Sequence, residues 1–197
     1  MNTLIRSLSF ALLCCTGGAA SAQQAINVRG TVTAFDGKTI AVATREGSAV
    51  EVALPDGARV SGTQAFTIAE LKPGMTLGVT TVRRSDGQLV AIDVRPIPPT
   101  ARLGLSEFDL QPESTMTNAT LEGQVVSASG AELMLNHGNG VIKVLAPPGT
   151  PMSQSIPGSR ADIKPGETIF IAARREADGA LTATRVQVST NGVKPTQ

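Results

Sequence analysis

An all-β chain built as two small barrels is predicted by two observations: short runs of alternating apolar and polar residues between turn signals, and a duplication of the punctuation. Leu71-Lys72-Pro73-Gly74 returns as Ile163-Lys164-Pro165-Gly166, and the Asp86-Gly87 pair that follows returns as Asp178-Gly179, each 92 residues later. Gly30 and Gly123, in the opening strands of the two copies, are 93 residues apart.

The elements follow in order. Ile26, Val28, Val32 and Ala34 alternate with Asn27, Arg29, Thr31 and Thr33, the period of a half-buried strand. Gly30 lies on the apolar face, where a missing side chain permits a bend or bulge. Asp36-Gly37 turns into a second strand over Thr39–Thr44, and Glu46-Gly47 into a third over Ala49–Leu54. Pro55-Asp56-Gly57 closes that meander with turn chemistry. Thr67 with Glu70 three residues on predicts a capped helical turn, which Pro73 terminates. Thr76–Val82 and Leu89–Val94 form a hairpin about Asp86-Gly87. In the second copy the strands are Thr120–Ser127, Glu132–Leu135, Gly140–Val144, Thr168–Ala173 and Leu181–Val188. Ser159 with Asp162 repeats the capped turn between the third and fourth.

Five strands, a helical turn between strands 3 and 4 and a bent first strand describe a small Greek-key barrel of the OB type. The predicted divisions are a signal peptide over 1–22, a first barrel over 23–95, a connector over 96–118, a second barrel over 119–190 and a tail over 191–197. Units this small are near the lower limit for a core without staples, so the barrels are expected to pack on each other.

Met1–Ala22 has the form of a secretory signal: Arg6, an apolar stretch over Leu8–Cys15, then Ala20-Ser21-Ala22. A lipidated cysteine normally follows small residues, whereas Leu12-Leu13 precede Cys14, so cleavage after Ala22 and export to the periplasm are expected. Both cysteines depart with that segment, leaving neither a disulfide nor a thiol nucleophile. Removing Arg6 brings 17 basic residues to 16 against 16 acidic ones. That balance argues against nucleic acid and anionic lipid as partners, and no later apolar run has the length of a membrane span.

Side chains suited to catalysis are scarce. The sole histidine, His137, lies in Asn136-His137-Gly138-Asn139-Gly140, a turn sequence without the companion ligands of a metal motif. Asp36, Asp56, Asp86 and Asp178 are single acids in turns, unlike the clustered carboxylates of a calcium loop. Arg83-Arg84 and Arg174-Arg175 read as solvated strand ends, with an anionic partner as the alternative. No cofactor, no catalytic residue and no metal ligand are predicted, and the chain is not expected to be an enzyme.

The connector carries more information. Pro96, Pro98 and Pro99 stiffen its start. Phe108 is a large side chain in a protein without Trp or Tyr. Phe108, Leu110 and Met116 are expected to staple the barrels together. The alternative is a partner-binding segment, with Phe108, Asp109, Glu113, Thr115, Thr117 and Asn118 as its candidate residues.

The tandem of Gly30-Thr31-Val32, Leu71-Lys72-Pro73-Gly74 and Asp86-Gly87 resembles a secreted bacterial domain of unknown function with an OB-like fold. Phe108-Asp109-Leu110-Gln111-Pro112 through Ser114-Thr115-Met116-Thr117-Asn118-Ala119 is similar to uncharacterised proteobacterial exported proteins with two such units, some labelled metal-transporter permease. The resemblance implies an exported tandem-barrel protein and brings no catalytic or ligand residues. The expected role is a non-enzymatic binding or interaction module of the cell envelope, with an envelope protein as partner. The alternatives are a periplasmic metal-handling accessory protein using His137 with Asp or Glu, and a hydrolase with an unrecognised Ser or Lys nucleophile.

Overall fold

The computed structural model describes residues 24–196; the expected signal peptide lies outside them. Thirteen strands and two 3-10 turns account for the regular structure. In the first copy these are β1 (Gln24–Phe35), β2 (Thr39–Thr44), β3 (Ala49–Ala53), β4 (Arg59–Ala65), η1 (Ile68–Glu70), β5 (Thr76–Arg83) and β6 (Leu89–Pro96). After β7 (Gly104–Glu107) come β8 (Thr115–Ser127), β9 (Gly130–Asn136), β10 (Val141–Ala146), β11 (Ser153–Pro157), η2 (Arg160–Asp162), β12 (Thr168–Arg175) and β13 (Leu181–Val188).

Two closed five-stranded barrels result, as the residue pattern predicts, but neither uses one contiguous half of the chain. Barrel one closes through β1, β2, β3, β13 and β12, and barrel two through β8, β9, β10, β6 and β5. The expected division into 23–95 and 119–190 is therefore corrected: each copy keeps its first three strands and hands its final hairpin to the other. The cause lies in two strands that the turn-rich texture concealed. β4 and β11 pair antiparallel over Ser61–Ala65 and Ser153–Pro157, so both linkers stay extended and cross instead of folding back. At the crossing, a Cβ on Gly158 would lie 2.6 Å from the Gly62 nitrogen, so the two backbones meet where a side chain is missing.

Each barrel has its own core. Val28, Val32, Ile40, Val42, Ile171 and Val186 fill barrel one. Leu77, Val79, Leu121, Leu133, Leu135 and Val144 fill barrel two. Burying such a side chain is worth about 1.5–3 kcal/mol. The capped turns plug the barrels across the exchange: Leu71 after η1 joins the second core and Ile163 after η2 the first. Their caps form as expected. The Glu70 carboxylate accepts from the Thr67 amide and hydroxyl, both at 2.8 Å, and the Asp162 carboxylate accepts from the Ser159 amide at 2.7 Å. The acids in the hairpin turns behave likewise, Asp36, Asp86 and Asp178 each accepting a backbone amide two residues ahead.

The opening glycines are not equivalent. Gly30 pairs with Ile169, whereas Leu77, 92 residues before Ile169, pairs with Ala119. Ala119, not Gly123, thus occupies the place of Gly30. A Cβ at Gly30 would lie 2.1 Å from the Ala43 carbonyl oxygen, while one at Gly123 would meet nothing within 4 Å. The strand bends come instead from bulges that skip Thr33 in β1 and Glu122 in β8.

Candidate functional site

Outside the cores, two sheet faces carry the buried polar chemistry. Phe170 and Met116 are buried yet belong to neither core. On barrel one, neighbouring strands bring Arg29, Phe170 and Gln187 into one row, by the pairings Arg29 with Phe170 and Phe170 with Gln187. The corresponding row of barrel two is Asn118, Gly78 and Arg95. Arg29, Phe170 and Gln187 on one face and Asp93 on the other are buried although they lie outside the cores, and the positive charges of Arg185 and Arg29 are near enough to Arg95 to help lower its guanidinium, so the two faces lie close to each other.

The barrel-two face holds a buried ion pair. Arg95 Nη1 donates to Asp93 Oδ2 at 2.5 Å, and the Thr196 hydroxyl near the C-terminus donates to Oδ1. Asp93 is fully buried. Burial pushes its carboxyl up, against the opposing pull of Arg95 and Thr196, and burial lowers the Arg95 guanidinium. The expected tail is thus anchored to barrel two through Thr196.

At the β1 side of the barrel-one face the connector covers Arg29. Arg29 is 9% exposed. Its Nη2 donates to Asp109 Oδ1 at 2.7 Å, and Asn27 Nδ2 donates to the same carboxylate at 3.0 and 3.1 Å. The Arg29 guanidinium lies 5.5 Å from the Phe108 ring centre and 5.3 Å from that of Phe170, a favourable cation–π geometry. Partial burial pushes the Asp109 carboxyl up, but the hydrogen bonds from Arg29 and Asn27 outweigh it and hold the group below its ordinary value. Phe108 and Asp109 therefore fasten the connector to barrel one, while β7 pairs with β8 of barrel two. Of the three residues expected to staple the barrels, Phe108 meets barrel one through Arg29, and Met116 is buried in β8 of barrel two.

Between these anchors the loop is compact. The Phe108 amide donates to the Ser114 carbonyl at 3.0 Å, and the Ser114 hydroxyl lies 2.7 and 2.8 Å from the carbonyl oxygens of Phe108 and Gln111. Glu113 takes φ of 60°, a left-handed conformation unusual for this residue type. The loop walls a groove of about 700 Å³, into which Phe108, Leu110 and Pro112 bring apolar surface and Glu107, Asp109 and Glu113 bring carboxylates. Glu46, in the β2–β3 turn of barrel one, adds a fourth acid. Among the described residues, Asp109 is the only one of these acids engaged in an ion pair.

Of the candidate residues, Phe108, Asp109, Glu113 and Thr115 meet at this groove. Thr117 does not: it is a fully buried residue of β8, and its hydroxyl has no hydrogen-bond partner among the described residues. Asn118 lines a different hollow of about 460 Å³ with Leu103, Gly104 and Leu105, and its side chain donates to the Arg102 carbonyl. The strand β8 begins at Thr115, so the last four residues of the expected connector belong to the barrel. Pattern reading missed Glu46, Glu107 and Arg29. An arginine on the polar side of a strand otherwise lined by Asn and Thr was the available signal for Arg29; nothing local marks Glu46.

His137 occupies the β9–β10 turn, its amide donating to the Gly140 carbonyl at 3.1 Å. Among the described residues, no three His, Cys, Asp or Glu side chains come together as a metal-holding group. No helix among them is long and apolar enough to cross a membrane. Compared with protein-family models, curated proteins and solved structures, the chain matches none of them.

Proposed function

We propose that the chain is an exported, non-enzymatic binding module of the cell envelope and that its connector groove receives a basic, extended segment of a partner protein. The observation that carries this reading is the four-carboxylate groove beside Phe108, Leu110 and Pro112, whose one ion-paired acid is spent on fastening the loop itself. A partner bearing Lys or Arg would complement Glu46, Glu107 and Glu113. The groove abuts β7, which ends its sheet and has no strand on its outer side among the described residues. An incoming extended segment could hydrogen-bond to that edge while its basic side chains reach the carboxylates, the logic of strand addition. Each barrel, as a Greek-key unit of the OB type, supplies a rigid support for the loop.

A photo-crosslinking residue placed at Leu110 in cells tests this reading. The expected outcome is one discrete protein adduct that is lost in the Glu107→Lys, Glu113→Lys double variant, together with saturable binding of an oligolysine peptide by the purified protein. Adducts that are unchanged by the double variant, or that contain only abundant neighbours, would remove its support.

A further inference from the structure

A second cleft, on barrel one and separate from the connector, has the opposite charge. β13 pairs with β3 at Thr182 and Ala53, then with β4 from Arg185 and Arg59 onward, and between these points the chain leaves the sheet as the Pro55–Ala58 turn. The opening is about 450 Å³, lined by Arg59, Arg174 and Arg185 with Thr182, Thr184 and Gly57, and no acidic side chain lines it among the described residues.

Arg59 and Arg185 stand side by side on adjacent strands, where like charges oppose each other. Burial, then the charge of Arg59, lowers the Arg185 guanidinium. Its position is held by the Phe170 ring, 5.3 Å from the guanidinium carbon. Arg59 and Arg174 form no ion pair among the described residues. Asp56, the acid of the adjoining turn, is engaged instead by Arg160 at 3.2 Å. The hollow beside the matching hairpin of barrel two differs. There Arg83 donates to the Gly87 carbonyl at 2.8 Å and Lys143 pairs with Glu132 at 3.2 Å, whereas Arg59 and Arg174 have no such ion pair among the described residues.

We propose that the Arg59–Arg174–Arg185 cleft binds a small oxoanion of the phosphate class. Guanidinium groups present paired N–H donors that match tetrahedral oxoanions, and arginines from three strands line a volume ample for one. This site does not depend on the acidic groove having a partner.

Calorimetry with inorganic phosphate and with pyrophosphate, near physiological ionic strength, tests it on the full mature chain. Saturable one-site binding is expected, with a rise in Tm that follows ligand concentration. Arg174→Ala should weaken binding about tenfold, the loss of one charge-assisted contact. Arg59→Ala should lose binding while keeping or raising the Tm of the ligand-free protein, because the repelling neighbour of Arg185 is gone. Arg83→Ala, in the other barrel, should change nothing. Should soluble phosphates leave no trace while vesicles containing phosphatidic acid bind in an Arg59-dependent way, the anion is a lipid headgroup. Absence of saturable binding to either, or equal weakening by Arg83→Ala, would overturn the proposal.

Discussion

The facing sheet surfaces of the two barrels share a backbone and almost none of their chemistry. Counted along the fifth strands, Arg185 of barrel one corresponds to Asp93 of barrel two, and Gln187 to Arg95, each 92 residues apart. Phe170 corresponds to Gly78, and the pairings that follow place Arg29 opposite Phe170 and Asn118 opposite Gly78. In barrel one an aromatic ring fills the centre of the row, with guanidinium groups of Arg29 and Arg185 over it. In barrel two the centre is bare: a Cβ at Gly78 would lie 3.4 Å from Arg95 Nε and 3.5 Å from Asn118 Oδ1, so those side chains occupy the space. Two identical copies meeting face to face would set each charge against its own duplicate. In the diverged copies one buried arginine is answered by the in-strand carboxylate of Asp93 and the other by rings and the connector's Asp109, which offsets the repulsion that Arg95 still feels from Arg29 and Arg185.

The barrel-two solution is the more fragile one, because its carboxylate is fully buried. Arg95→Met leaves Asp93 buried without its cation and should cost about 3–5 kcal/mol in denaturant unfolding, most of it restored by adding Asp93→Asn, since a neutral pair has no charge to strand. An additive double variant would mean the two residues do not act as a pair. On barrel one, Arg29→Asn installs the residue that barrel two carries at the same place. The loss there should be smaller, about 1–2 kcal/mol from the cation–π contacts and the charge-assisted bond, with faster amide exchange over Phe108–Ser114.

The gentlest probe is pH. Asp109 has a folded-state pKa held below the ordinary aspartate value, so its contribution to connector docking is present above that value and is lost as pH falls through the lowered one. The NMR signals of the Asn27 side-chain amide and the Phe108 ring should therefore shift together on acidification below pH 3.8, and Asp109→Asn should abolish the common transition. Independent titration of the two signals would separate Phe108 from the Arg29–Asp109 contact.

Legibility in the residue pattern followed how local each interaction is. The caps at Thr67 and Ser159 and the Asp-Gly turns were readable because donor and acceptor lie two or three residues apart. The strands whose apolar residues alternate were readable for the same reason. β4, with Gly62, and β11, with Ser153 and Pro157, lack strong alternation and are held by pairing with each other. β7 is four residues long and depends on β8. The candidate groove was half visible: Phe108 stood out by scarcity, whereas Glu46 arrives from a turn more than sixty residues earlier in the chain.

Residue order alone was sufficient for a duplicated all-β chain forming two small barrels, because alternation, turns and caps are written in neighbouring side chains. Which hairpin closes which barrel, where the connector lands and which charges become buried were decided by long-range pairing. The crossing of β4 and β11 sends each terminal hairpin to the other copy, and that single topological choice places Arg29, Asp93, Arg95 and Arg185 among neighbours their local sequence does not name.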